Sequence, residues 1–275
     1  MRMVKYGAFL ALAVLLVLTL SSFGGAGRKT ERTELVVFAA ASMQETLEEI
    51  GADYTARHQD VSIVFNFDSS GTLKTQIQEG ADCDIFISAG QKQMDQLDAA
   101  SPNVNTDGLD FVLTDTRFNL LENKVALAVP DGNPAGINSY DGLKAALEAG
   151  NILLAMGNED VPVGQYTQKI LAYFGLDEAS LNDAGVLTYG SNVKEVVTQV
   201  AEGTVDCGII YGTDAFSAGL TVVDTATAEM CGQVIYPAAA LNISKHQEDA
   251  QDFLYYLRTP AAGDVLEAVG FTHLG

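Results

Sequence analysis

Short apolar segments alternate with amphipathic segments from about residue 35 to residue 258, and this alternation limits the possible folds more than any other feature. The pattern is typical of strands that are each followed by a helix in largely parallel sheets. The predicted strands are residues 35–40, 61–67, 84–88, 124–130, 152–156, 186–189, 207–211 and 234–241. The predicted helices are residues 43–57 and 72–78, the segments after Pro162 and after Asn192, and residues 249–258. The sequence therefore predicts an α/β protein.

A turn-rich segment at residues 131–136, Asp-Gly-Asn-Pro-Ala-Gly, interrupts this pattern near the middle of the chain. Glycine, proline and asparagine in such a cluster favour turns, which suits a crossing between two lobes. The strand predicted near the C-terminus is expected to return the chain to the first lobe. We therefore expect lobe 1 to comprise residues 34–129 and 233–275, lobe 2 to comprise residues 130–232, and a ligand cleft to lie between them.

The N-terminus has the features of a secretory signal. Arg2 and Lys5 precede a long uncharged stretch with a dense apolar block, and small residues surround Ala26. This order of charge, apolar block and small residues predicts a signal peptide over residues 1–26. Because a membrane span needs about 20 apolar residues, an uncleaved N-terminal anchor is the alternative. Both interpretations place the protein outside the cytoplasm, in the periplasm or at the cell surface.

Charge and cysteine usage exclude several classes of function. Fifteen Lys and Arg against 36 Asp and Glu give a formal charge of −21, which repels nucleic-acid phosphates, so no nucleic-acid partner is expected. Cys83, Cys207 and Cys231 lack the spacing of a metal site, and no bound metal cation is predicted. Buried thiols are the favoured interpretation, and a bridge between Cys207 and Cys231 stays open.

Polar and small residues collect where predicted strands meet predicted helices. Ser42 follows three alanines, Ser70 lies in the Asp-Ser-Ser-Gly-Thr segment 68–72, and Tyr211 ends a strand. Pro162 and Asn192 begin two further helices. Free N–H groups and the positive end of the helix dipole bind anions without a cationic side chain. These strand–helix junctions therefore predict an anion site, in spite of the acidic composition.

Helix capping is the competing interpretation of the same residues. Ser42 and Glu45 form the Ser-x-x-Glu pattern of a capping box, and Ser70 and Asn192 are both residue types that favour N-cap positions. Each cap contributes about 1 kcal/mol to stability without any ligand.

Five ordered motifs resemble those of the periplasmic molybdate-binding protein of ABC importers. They are Phe-Ala-Ala-Ala-Ser at 38–42, Asp-Ser-Ser-Gly-Thr-Leu at 68–73, Asp-Ile-Phe-Ile-Ser-Ala at 84–89, Val-Pro-Val-Gly at 161–164 and Ile-Tyr-Gly-Thr-Asp-Ala at 210–215. Val-Gly-Phe at 269–271 also fits, so the similarity covers essentially the whole mature chain. The resemblance implies a type II periplasmic-binding-protein fold, in which two α/β lobes joined by a hinge hold a tetrahedral oxyanion in the cleft.

The resemblance also implies the ligand set. Its members donate through a hydroxyl or through the backbone N–H, and they are Ser42, Ser70, Val163, Val193 and Tyr211. Asp68 departs from the small residue of the family, and we expect its carboxylate to cap the next helix or to point away from the anion. The implied ligand is molybdate or tungstate, with no cofactor, and the implied partner is the membrane permease of an ABC importer. A monomer is expected.

The sequence leaves three other functions open. A receptor for sulfate or phosphate is the nearest alternative, and cavity size would separate those ions from molybdate. A secreted hydrolase is a less favoured alternative. None of the three histidines lies at a strand–helix junction, and neither a Gly-x-Ser-x-Gly nor a His-Glu-x-x-His motif occurs. A ligand-responsive module that signals to a membrane partner shares the same fold. We predict that the protein is not an enzyme.

Overall fold

The computed structural model describes residues 32–275, and the predicted signal peptide or anchor at residues 1–26 lies outside the described residues. Within 32–275, no helix combines the length and the apolar character that crossing a membrane requires. The predicted α/β class is confirmed, because strands and helices alternate along this part of the chain.

Six strands form the first sheet. In chain order they are β1 Thr33–Ala40, β2 Val61–Asp68, β3 Ile85–Ile87, β4 Phe118–Asn123, β10 Val234–Ala240 and β11 Thr272–His273. Their order across the sheet is β11-β4-β10-β3-β1-β2. The strands β2, β1 and β3 are parallel, whereas β10 is antiparallel to both β3 and β4. The carboxyl ends of the three parallel strands therefore meet at one edge of the sheet.

Five strands form the second sheet. They are β5 Val125–Val129, β6 Leu154–Gly157, β7 Leu187–Gly190, β8 Cys207–Tyr211 and β9 Thr221–Thr225, in the order β7-β6-β8-β5-β9. The strands β7, β6 and β8 are parallel, and β5 runs antiparallel to β8 and β9. The carboxyl ends of these three parallel strands also share one edge, which is where open α/β sheets place ligands.

The place where the chain changes sheet differs from the predicted boundary. Val125–Val129 pairs with β8 in the second sheet, although we expected residues up to 129 in lobe 1. Only Lys124 separates β4 from β5, so the crossing occurs there, and the turn-rich segment 131–136 instead leads onward within the second half. The chain returns between β9 and β10. From here on, lobe 1 means residues 32–123 and 234–275, and lobe 2 means residues 124–233.

Helices flank both sheets. In lobe 1 a short 3-10 helix, Ala41–Met43, precedes α1 Gln44–Arg57, and the others are α2 Ser70–Gln78, α3 Gln91–Asp95, α10 Gln247–Leu257 and α11 Pro260–Ala268. In lobe 2 they are α4 Tyr140–Ala149, α5 Pro162–Tyr173, α6 Glu178–Asp183, α7 Val193–Ala201, α8 Gly212–Ala218 and α9 Ala228–Cys231. The sequence prediction had missed β4, β9, β11 and the helices α3, α4, α6, α8, α9 and α11, most of which are short.

Apolar side chains cover both faces of the first sheet. On β1, Phe38 belongs to a cluster with Leu73 of α2, whereas its neighbours Val37 and Ala39 belong to the cluster that continues into lobe 2. This alternation follows from the two-residue repeat of a strand that is buried on both faces. The three cysteines are buried free thiols, so the Cys207–Cys231 bridge that the sequence left open is not formed.

Candidate functional site

A small cavity lies between the two lobes at the carboxyl ends of the parallel strands. The cavity volume is about 10 Å³, about the space that one water molecule needs. Lobe 1 lines it with Ala40, Ala41, Ser42, Asp68, Ser69, Ser70 and Ala89, and lobe 2 lines it with Val161, Pro162, Val193 and Tyr211. Four of the five residues predicted to bind the ligand, Ser42, Ser70, Val193 and Tyr211, therefore meet at this cavity.

Ser70 presents a hydroxyl whose acceptor role is already taken. It is fully buried at the first position of α2, and its Oγ accepts a hydrogen bond of 2.9 Å from the N–H of Ala89, which follows β3. The hydroxyl hydrogen therefore remains available for a ligand. Ser70 is not the helix cap that it resembled in the sequence, because Ser69 has that role and accepts from the N–H of Thr72 at 3.1 Å.

Ser42 lies inside the short 3-10 helix after β1 and contacts β10, which is two strands away from β1 in the first sheet. Its Oγ is 2.9 Å from the hydroxyl oxygen of Tyr236 on β10. The predicted capping box of Ser42 and Glu45 was wrong, because the 3-10 turn places Met43 at the N-cap of α1 and no side chain caps that helix. Glu45 instead accepts hydrogen bonds from Lys194.

Tyr211 ends β8, and its hydroxyl oxygen is buried without a hydrogen-bond partner among the described residues. Its ring packs edge-on against Tyr236, with 5.7 Å between the ring centroids. Burial raises the pKa of Tyr211 well above its ordinary value, so the phenol keeps its proton. A neutral, unpartnered hydroxyl beside the cavity can donate to an anion.

Two helices of lobe 2 direct their N-termini at the cavity region. Asn192 caps α7, as predicted, because its Oδ1 accepts from the N–H of Glu195 at 3.1 Å. Val193 is the first residue of α7 and Val163 the second of α5, so neither N–H has an intrahelical acceptor. Val193 lines the cavity, whereas Val163 lies one residue behind Pro162, which does.

Asp68 occupies a different place from the one that we expected. It does not cap α2, and it lines the cavity. Its Oδ1 accepts a hydrogen bond of 2.7 Å from the N–H of Ser69 and one of 3.5 Å from Nδ2 of Asn192. The second bond joins the two lobes, because Asp68 is the last residue of β2 in lobe 1 and Asn192 precedes α7 in lobe 2.

Lys194 forms an ion pair across the lobes that sequence reasoning missed. Its Nζ lies 2.9 Å from both carboxylate oxygens of Glu45 on α1 and 3.2 Å from Oδ1 of Asp214 on α8. Asp214 is 1% exposed, and burial raises its pKa to about 6 although Lys194 opposes this rise. Burial lowers the pKa of Lys194, but Asp214 and Glu45 outweigh it and leave that pKa raised.

Tyr236 and Asn123 are the other polar residues that the prediction missed. Nδ2 of Asn123 donates to the hydroxyl oxygen of Tyr236 at 3.2 Å and to Oγ1 of Thr213 at 3.0 Å. One signal was present in the sequence: Tyr236 is the only residue with a polar side chain in the strand Val-Ile-Tyr-Pro-Ala-Ala-Ala. A lone phenol in a buried strand needs a hydrogen-bond partner.

Comparison with known proteins identifies the family. The sequence model described as "Bacterial extracellular solute-binding protein" matches residues 35–272. A Bacillus subtilis protein with a provisional name as an ABC transporter substrate-binding lipoprotein is 34% identical over 98% of this chain and 98% of its own. The molybdate-binding protein ModA of Haemophilus influenzae is 33% identical over 87% of this chain and 90% of its own.

A solved structure supports the fold independently. The periplasmic molybdate-binding protein of Azotobacter vinelandii superposes with a TM-score of 0.73 and 22% identity, over 88% of this chain and 100% of its own. At that identity the likeness concerns the fold alone, and it confirms the predicted periplasmic-binding-protein architecture. Because the family match and both relatives cover most of the sequence, this chain belongs to the bacterial extracellular solute-binding protein family.

Proposed function

We propose that this protein captures molybdate or tungstate outside the cytoplasm, as a monomer, and delivers the ion to the membrane permease of an ABC importer. The names of its relatives support the ligand, since the Haemophilus influenzae protein is a molybdate-binding protein. The Bacillus subtilis relative is named for a substrate-binding role in an ABC transporter, and this supports the permease as the partner. In this proposal the lobes close around the ion by a hinge motion at the two crossings between the sheets.

The observation that carries the proposal is the convergence of neutral donors on one cavity. The hydroxyls of Ser42, Ser70 and Tyr211 and the N–H of Val193 come from both lobes, and we propose the N–H of Val163 as a fifth donor. Hydrogen bonds from neutral donors to an oxyanion are charge-assisted and strong. The lining residues include no lysine or arginine, so a bound dianion would be held by dipoles alone and released without breaking an ion pair.

The net charge of −21 does not oppose this arrangement at short range. Charges farther away than about 8–10 Å are largely screened at physiological salt. The proposed donors would act at hydrogen-bond distance, where no such screening intervenes. The local site therefore outweighs the repulsion from the acidic surface.

The same lining supports a binding function over catalysis. Asp68 and Tyr211 are its only side chains that can titrate, and the raised pKa of Tyr211 keeps that phenol protonated, so it is not available as a base. No histidine or cysteine lines the cavity, so a nucleophile with an adjacent base is not assembled there. We therefore propose that the bound ion is transported unchanged.

One residue favours phosphate as a second candidate. A carboxylate at the cavity, such as that of Asp68, repels a fully ionised dianion but accepts a hydrogen bond from a protonated oxyanion. Hydrogen phosphate carries such a proton near neutral pH, whereas molybdate and sulfate do not. The existing bonds from Ser69 and Asn192 to Asp68 Oδ1 reduce this repulsion and keep molybdate as the first candidate.

Thermal unfolding with a panel of ions tests the proposed function. We expect molybdate or tungstate at 100 times its dissociation constant to stabilise the protein by about 2.7 kcal/mol. Sulfate should shift the melting temperature less, because a smaller ion cannot reach all of the donors at once. The measurement is differential scanning fluorimetry of residues 27–275 with molybdate, tungstate, sulfate and phosphate. A shift with phosphate alone would select the second candidate, and no shift with any ion would contradict both.

Alanine variants of the two serines separate binding from capping. We expect Ser42→Ala and Ser70→Ala each to weaken oxyanion binding by about 1.5–3 kcal/mol, because each removes one donor to a charged group. The matched control is Ser139→Ala, since Ser139 caps α4 by accepting from Gly142 at 3.0 Å. The control should lose about 1 kcal/mol of stability and no affinity. Calorimetric titration and urea unfolding measure the two quantities, and loss of stability without loss of affinity at Ser42 and Ser70 would contradict the assignment.

A further inference from the structure

Tyr236 lies behind the proposed anion site, where its ring packs against Tyr211 and its hydroxyl group contacts Ser42. It is fully buried on β10 and does not line the cavity, yet its hydroxyl oxygen is 2.9 Å from Oγ of Ser42. The pairing of β10 with β4 is irregular between Tyr236 and Pro237. Such irregularities redirect side chains, which suits a residue with a specific partner on another segment.

The direction of the hydrogen bonds in this cluster follows from Asn123. Its Oδ1 accepts the N–H of Lys124 at 2.8 Å, so the amide nitrogen Nδ2 faces Tyr236. An amide NH₂ group only donates, and the Tyr236 oxygen must therefore accept from it. The single hydrogen of the phenol is then free to point at Ser42.

The consequence concerns the proton of Ser42. When Tyr236 donates to Oγ of Ser42, the serine hydroxyl no longer needs an acceptor within the protein, and its own hydrogen can point into the cavity. If the direction were reversed, Ser42 would donate to Tyr236 and would present only a lone pair to an anion. Chains of hydrogen bonds also polarise one another, which strengthens the last donor.

We infer that Tyr236 is a positioning residue for oxyanion binding, because Asn123 fixes its proton toward Ser42 and Ser42 is thereby held as a donor to the ligand. This inference rests on the proposed function. Asn123 ends β4 where the chain leaves lobe 1, and it also bonds Thr213 of lobe 2. This relay, the hydrogen-bond chain from Asn123 through Tyr236 to Ser42, therefore begins at the crossing between the lobes. Burial raises the pKa of Tyr236 well above its ordinary value, so the phenol keeps its proton.

A double-mutant cycle for molybdate binding tests the inference. We expect Tyr236→Phe to weaken binding about 10-fold in the otherwise unchanged protein, in line with the loss of one ordered donor. In the Ser42→Ala background the same change should weaken binding less than about 2-fold, because the residue through which Tyr236 acts is gone. Calorimetric titration of the four proteins with molybdate, or with whichever ion gives the largest thermal shift, measures the coupling.

The outcomes distinguish this inference from the proposed function. Equal losses of affinity in both backgrounds, or no loss in either, would overturn the positioning role. Failure of the unchanged protein to bind any of the four ions would instead overturn the proposed function. Tyr140→Phe is the matched control, since it removes a buried hydroxyl that has no partner among the described residues, and we expect unchanged affinity.

A second variant keeps the test decisive if Tyr236→Phe does not fold. Asn123→Asp has nearly the same shape but replaces the donating amide with an acceptor, so the Tyr236 proton turns toward residue 123 and Ser42 must donate to Tyr236. We expect about a 10-fold loss of affinity that disappears in the Ser42→Ala background. A loss of the same size in both backgrounds would contradict the relay.

Discussion

Replacement of Gly71 with alanine is expected to weaken oxyanion binding by more than about 100-fold, while the unliganded protein stays equally stable or gains stability. Gly71 is the second residue of α2 in lobe 1. A Cβ atom there would overlap the backbone carbonyl oxygen of Asp160 in lobe 2 and would lie 3.0 Å from Cβ of Asp160. Both obstructing groups belong to the opposite lobe. Overpacking of this kind costs about 3 kcal/mol, or about 100-fold in affinity, and a backbone obstacle adds to this cost.

The two expected effects have different physical origins. An alanine in the first turn of α2 suits the helix better than glycine, by at most about 1 kcal/mol. In the proposed hinge motion the open arrangement separates Gly71 from Asp160 and relieves this overlap, so we expect the unliganded protein to keep its stability. The variant is therefore expected to fold normally and to fail at closure, which reduces the apparent affinity by the fraction of molecules able to close.

Calorimetric titration, together with small-angle scattering with and without molybdate, measures both effects. The unchanged protein should become more compact when the ion binds, and Gly71→Ala should not. The matched control is Gly142→Ala in the first turn of α4, where a Cβ would meet only Oγ of Ser139 at 3.5 Å. We expect the control to bind normally. Affinity of Gly71→Ala within about 3-fold of the unchanged protein would show that the contact is not part of the bound state.

The convergence of the site could be predicted because it follows from a local rule. The strands β1, β2 and β3 precede Ser42, Ser70 and Ala89, and they are parallel. Their carboxyl ends therefore share one edge of the sheet, whatever the details of packing. The same holds in lobe 2 for the loops before α5 and α7 and for Tyr211. Apolar periodicity identifies such strands, and polar residues at their ends mark the edge.

The remaining features depend on pairings that no local pattern contains. Val125–Val129 is apolar enough for either sheet, and only its antiparallel pairing with β8 and β9 determines that it belongs to lobe 2. Ser42 and Tyr236 are 194 positions apart, and Glu45 and Lys194 are 149 apart. The capping box failed for a related reason, because one 3-10 turn between strand and helix shifts the N-cap by a single residue.

Replacement of Lys194 with methionine is expected to destabilise the folded protein by about 3 kcal/mol at pH 8 and by much less at pH 5. Methionine keeps the length of the side chain but removes the cation that faces Asp214, whose carboxylate is 1% exposed and has no other hydrogen-bond partner among the described residues. A buried carboxylate without its cation is costly. The cost depends on pH, because Asp214 can escape it by binding a proton.

The direction of this pH dependence follows from the pKa of Asp214, which burial raises to about 6 from an ordinary value of 3.8. The folded state thus binds this proton more tightly than the unfolded state, so the contribution of Asp214 to stability falls as the pH rises from about 4 to 6. Without Lys194 the pKa of Asp214 in the folded state rises further, and the contribution of Asp214 to stability keeps falling to higher pH. At pH 5 the carboxyl is mostly protonated in both proteins, and the substitution then removes little more than the exposed pair with Glu45.

Urea unfolding at pH 5 and pH 8 measures the difference, with Lys144→Met as the matched control. Lys144 pairs with Glu148 at 3.2 Å on the exposed face of α4, and its loss should cost less than about 1 kcal/mol at either pH. Adding Asp214→Asn to Lys194→Met should recover stability at pH 8, because the neutral amide needs no cation. Equal destabilisation by Lys194→Met at the two pH values would mean that packing, and not the buried charge, makes Lys194 important. A recovery confined to pH 8 would instead identify the carboxylate of Asp214 as the group that Lys194 neutralises where the lobes meet.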